Sequence, residues 1–198
     1  MYDKQKIYDT AVEAYNHAVD TITRIDSVFR LISGSDYDPE STLAQFDIIL
    51  QGVLVSVACS DMIFDEIEQQ FIQSICVHGD LLDYIRMDSN GDLDMSWDDF
   101  AEAETKGQLA LVSVLPQVLA DQCDSFIYPL AAVDFSYSQY GNLPTDPGDF
   151  LRSIENDMIT IATLLAFVDE EGEPVEVNAA AEMIYALVEK HWKDLIEA

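Results

Sequence analysis

Apolar residues return at three- and four-residue steps along most of this chain. From residue 7 to about residue 31, Ile7, Ala11, Ala14, Tyr15, Ala18, Ile22, Ile25 and Phe29 trace one stripe, the spacing of an amphipathic helix. Gly34 and Ser35 end that helix, and Asp38-Pro39 opens a second with Pro in a first-turn position. The second helix reads to about residue 60. After a turn at 61–65, a third continues through Ile67, Phe71, Ile72 and Ile75 to about residue 87. Further helical spans are expected over about 109–134, which contains Pro116 and Pro129, over about 147–168, and over about 178–196 with Asn178 as N-cap. No apolar alternation of period two runs far enough to make a strand, so the pattern predicts an all-α helical bundle.

Two of these spans match each other. Leu43, Phe46, Leu50, Val53 and Val57 fall opposite Leu151, Ile154, Met158, Ile161 and Leu165 at one constant offset. Each span opens on Asp-Pro and closes on an Asp, Asp61 in the first and Asp169 in the second. A gapless match of this kind is the signature of an internal duplication. It predicts two pseudo-repeated three-helix units, at 1–80 and 109–198, joined by an acidic linker at 81–108.

Charge narrows the range of partners. With 9 Lys and Arg against 38 Asp and Glu, the formal net charge is −29, which repels nucleic acid and anionic lipid and enriches cations at the surface. The expected partners are therefore basic protein surfaces or divalent cations, and nucleic acid is excluded. An apolar fraction of 49% supplies enough buried surface to fold despite that charge. The longest apolar run, 48–60, is interrupted by Gln51 and is far short of the ~20 residues that span a bilayer, so no membrane insertion is expected. The chain opens on a polar amphipathic helix, and Cys59, Cys76 and Cys123 are odd in number within apolar stretches. Together these features predict a reduced, cytoplasmic setting.

The carboxylates are densest between residues 80 and 104. There Asp88-Ser89-Asn90-Gly91-Asp92-Leu93-Asp94-Met95-Ser96-Trp97-Asp98-Asp99-Phe100 resembles an EF-hand or dockerin-type calcium loop. Asp88, Asn90, Asp92 and Asp99 stand at positions 1, 3, 5 and 12, and Asp94 would contribute its backbone carbonyl. Alternating hard oxygen ligands of this sort suit Ca²⁺ or another divalent cation. Position 6 is Leu93 rather than Gly, and position 12 is Asp rather than Glu. The same residues also read as a turn at Asn90-Gly91 followed by a helix start, with Ser96 and Asp99 forming a capping box.

A second resemblance rests on residues 56–68. An apolar helix closes on Ala58-Cys59-Ser60-Asp61, Phe64 follows as an isolated apolar position, and Glu68 opens the next helix. This resembles the signature of the TerB-like (tellurite-resistance protein B-like) helical family, with Met62 where that family has Gly. The resemblance implies compact helical modules, here in tandem, of a kind associated with bacterial stress response and with proposed metal binding by acidic residues. Physically, the same residues make a helix–turn–helix corner, in which Asp61 or Asp65 caps the following helix and Glu68 lies near its positive end. A cation shared by Asp61 and Glu68 is the alternative.

Catalytic motifs are sparse. Cys76 and His78 are two residues apart, which places them on different faces of a helix, and no finger-like ligand spacing accompanies them. Tyr128, Phe135, Tyr137 and Tyr140 form an aromatic stretch near Pro129. The function expected from sequence is a non-enzymatic, acidic interaction or regulatory protein. A calcium-binding protein is the alternative, and a metal-dependent hydrolase a weaker one.

Overall fold

The computed structural model describes residues 4–33, 39–59, 64–88, 95–105 and 149–168. These residues are 86% helical and contain no strand, which makes the protein all-α. The helices are α1 (Lys4–Ser33), α2 (Pro39–Ala58), α3 (Glu66–Ile75), α4 (Leu81–Asp88), α5 (Trp97–Thr105) and α6 (Asp149–Leu165).

Helix α2 is the centre of the bundle and packs against α1, α3, α4 and α6. Its residues Phe46, Ile49, Leu50, Val53, Leu54 and Val55 are all buried, so it has no wide polar face. A helix that is apolar nearly all round belongs inside a bundle. Around it, α1 follows the amphipathic rule: Ile7, Ala11, Tyr15, Ala18 and Ile22 form one buried stripe, with charged residues on the other side. Helix α1 packs most extensively along α6 and also touches α2 and α3. A polar contact ties α1 to α6, where His17 Nδ1 lies 2.8 Å from Asp157 Oδ2. Between α1 and α3, Tyr8 and Phe71 meet edge to face with ring centroids 5.2 Å apart.

The two spans that match in sequence are both helical and bury the same register. Phe46, Leu50, Val53 and Val57 of α2 are buried, as are Ile154, Met158, Ile161 and Leu165 of α6. The spans expected at 109–134 and 178–196, the aromatic stretch at 128–140 and Asp169 lie outside the described residues.

One element departs from the periodicity. The continuous helix expected from about residue 66 to 87 is broken into α3 and α4 by an extended segment, residues 76–80. Cys76 ends α3 with extended backbone dihedrals (φ −83°, ψ 111°), and Asp80 starts α4 by accepting the Leu82 N–H at 2.8 Å. The region 81–108, read from sequence as a linker, supplies α4 and α5 and contributes Leu81, Leu82, Ile85, Phe100 and Ala101 to the core. Phe64, Trp97 and Phe100 pack edge to face in a triangle with centroid separations of 5.6–6.3 Å. That triangle fastens α5 to the corner before α3.

Candidate functional site

The break between α3 and α4 is held by polar side chains that sit inside the apolar core. Asp47 and Gln51 lie one turn apart on α2, on one face of the helix, and both are buried. The Asp47 carboxylate is 0% exposed and receives three hydrogen bonds. Tyr15 of α1 donates its hydroxyl to Oδ1 at 2.7 Å. The backbone N–H groups of His78 and Gly79 donate to Oδ2, the latter at 3.0 Å. Gln51 completes the clamp: its amide donates to the Gly79 carbonyl at 2.9 Å, and its oxygen accepts the Leu81 N–H at 2.6 Å. Two side chains of one helix thereby satisfy backbone groups that a helical break leaves without partners.

Gly79 permits the close approach that this clamp needs. A Cβ at position 79 would lie 2.5 Å from the Ala44 carbonyl oxygen and 3.0 Å from the Ala44 Cα. Only glycine lets the segment lie directly on the α2 backbone. The His78 ring stacks on Tyr15 with centroids 6.3 Å apart and remains exposed on its outer side.

The electrostatics follow from burial. Desolvation pushes the Asp47 carboxyl above its ordinary value, against the pull of hydrogen bonds from Tyr15, His78 and Gly79. The Tyr15 hydroxyl is pushed up by burial first, and then by its hydrogen bond to the Asp47 carboxylate and the charge on that group. Burial also raises the Cys76 thiol, with Asp47 adding to the effect, so this cysteine is a poor source of thiolate. The arrangement is chemically quiet. Its donors and acceptors are matched to each other, and its thiol is kept protonated.

Three of the acidic residues singled out from sequence, Asp65, Glu68 and Asp99, take part in helix caps. Asp65 caps α3 by accepting the N–H groups of Ile67 at 2.7 Å and Glu68 at 2.9 Å. Glu68 reaches back to accept the Asp65 N–H at 3.0 Å, which completes a capping box. Asp99 does the same at α5. Its carboxylate accepts the Ser96 hydroxyl at 2.8 Å and the Ser96 N–H at 3.3 Å, while its own N–H donates to Ser96 Oγ at 3.2 Å. Those bonds from Ser96 hold the exposed Asp99 carboxyl below its ordinary value. Asp88 is the last residue of α4; Asp61, Asn90, Asp92 and Asp94 lie outside the described residues. Among the described residues, no three His, Cys, Asp or Glu side chains are grouped so as to hold a metal ion. Likewise, no helix among them is long and apolar enough to cross a membrane.

An open cleft lies where α4 meets the start of α5. It encloses about 360 Å³ and is lined by Asp80, Leu82, Arg86, Met95, Trp97 and Asp98, among others. Leu82 is buried, whereas Met95 and Trp97 are half-buried and Asp98 is exposed. The Arg86 guanidinium turns to Asp83, at 2.6 Å.

Sequence reasoning missed Asp47, placed Tyr15 only in an apolar stripe, weighed His78 only beside Cys76, and noticed Gln51 only as an interruption of an apolar run. A signal was weak but present, since Asp47 and Gln51 are polar residues four apart in the otherwise apolar stretch 46–55. Comparison with family models, with curated proteins and with solved structures finds no match to this chain.

Proposed function

We propose that this protein is a non-enzymatic, acidic helical interaction module that binds a basic protein surface, built on the plan of tandem TerB-like units. The observation that carries this reading is how the ionisable groups are divided. The buried carboxylate at Asp47 is bound to the protein's own backbone and to Tyr15, and it is only one of 38 Asp and Glu in a chain whose formal net charge is −29. A field of one sign speeds the encounter with oppositely charged surfaces and turns away nucleic acid and anionic lipid. Salt dependence tests it. A lysine-rich protein such as a histone should bind tightly at 50 mM salt and lose most of its affinity by 300 mM, because surface charges are screened within about one Debye length. Affinity that does not change with salt, or no binding at low salt, defeats the reading.

A second reading is favoured by one specific observation. Helix α4 ends at Asp88, the first position of the calcium-type loop, and α5 begins at Trp97, just ahead of Asp99 at the twelfth. A cation-binding loop between two helices has this frame. On this reading Asp88, Asn90, Asp92 and Asp99 bind Ca²⁺, and Asp99 exchanges its bond to Ser96 for the ion. The test is thermal melting in calcium against chelator, with magnesium as the control for general charge screening. A native-state ligand raises the melting temperature. An equal calcium effect in wild type and in an Asp88→Ala, Asp92→Ala variant ends this reading.

A further inference from the structure

We propose that the cleft between α4 and α5 is the point where the basic partner inserts one lysine or arginine side chain. This rests on the interaction reading above and assigns it a location. The cleft, about 360 Å³, is at the small end of ligand pockets, which run from ~300 to ~1,000 Å³. That size suits one long side chain better than a folded element.

Its lining matches the two parts of such a side chain. Leu82, Met95 and Trp97 give an apolar wall for the methylene stem, which basic side chains bury readily while their charged head stays in water. Asp80 and Asp98 supply carboxylates beside that wall. Arg86 also borders the cleft and pairs with Asp83 at 2.6 Å, so two carboxylates stand in the lining against one cation. A half-buried indole beside carboxylates also favours a cation, through the negative face of its ring. Trp97 is steadied by edge contacts with Phe64 and Phe100 and so offers a surface that is fixed before binding.

The test compares two charge reversals in the full chain. The probe is an acetylated, amidated tetralysine peptide, titrated by calorimetry at 50 mM salt. Its tetraglutamine counterpart serves as the neutral control. Asp98→Lys changes the cleft, and Glu13→Lys makes the same change in net charge on an exposed turn of α1. The Asp98→Lys variant should bind the probe about fivefold more weakly than Glu13→Lys does, the scale of one exposed ion pair lost. Asp98→Asn, which is milder at the start of a helix, should weaken binding in the same direction. The indole N–H signal of Trp97 should also shift on adding peptide to wild type. Equal losses in Asp98→Lys and Glu13→Lys, with the Trp97 signal unmoved, overturn the cleft and leave the interaction reading standing. No binding of tetralysine to wild type overturns both.

Discussion

Replacing Asp47 with Ala removes the acceptor on which three donors converge, and the cost can be worked through group by group. Tyr15 is buried, so its hydroxyl loses a charge-assisted partner at 2.7 Å with no water to replace it. An orphaned buried donor costs about 1–3 kcal/mol. The N–H groups of His78 and Gly79 also lose their acceptor, but their segment is half-exposed, so solvent recovers part of that loss. Opposing these losses, the variant no longer has to desolvate a buried carboxylate, which is a real saving. The balance is a destabilisation of about 2–4 kcal/mol. For a chain of this length that lowers the melting temperature by roughly 5–15 °C. Two measurements check the mechanism as well as the size. Amide exchange at His78, Gly79 and Leu81 should quicken well beyond the global change, because the clamp holds these groups locally. A double-mutant cycle with Tyr15→Phe should return a coupling of about 1–3 kcal/mol. A loss under about 0.5 kcal/mol, no coupling to Tyr15 and unchanged exchange at 78–81 would refute the clamp.

Gly79→Ala should destabilise by about 1–3 kcal/mol in a denaturant titration, because its Cβ meets the Ala44 backbone and the segment must move away from α2; a neutral outcome would show that the segment shifts freely. Asp65→Ala removes the side-chain half of the α3 capping box and should cost about 1 kcal/mol, whereas Asp65→Asn should keep most of that stability. The Asp47 carboxyl, followed by its side-chain carbon resonance, should titrate above the ordinary value of 3.8. Since the folded state then holds this proton more tightly than the unfolded chain, the contribution of Asp47 to stability falls as pH rises from 3.8 through the raised folded value. A midpoint at or below 3.8 would contradict the dominance of burial over the three hydrogen bonds.

Local rules on the page of the sequence settled the class and much of the helix plan. The stripe from Ile7 to Ile22 made α1 helical, because three- and four-residue spacing leaves only one way to bury those residues together. Asp65 and Ser96 announced the starts of α3 and α5 through side chains that reach only the next few N–H groups. Burial of the matched positions in α2 and α6 was legible for the same reason, since apolar patterning reports which face must leave water. The break at residues 76–80 was not legible. Ile75, Leu81, Leu82 and Ile85 read as one continuing helix, and the partners that make an interruption tolerable are far away in the chain. Asp47, Gln51 and Tyr15 compensate the backbone at 77–81 only once α1 and α2 have packed beside it. The same holds for the cleft, whose lining joins residue 80 to residue 98 across two short helices. Spacing within one helix is a local quantity that the order of residues determines, whereas a buried hydrogen bond between distant helices depends on tertiary packing to bring donor and acceptor together.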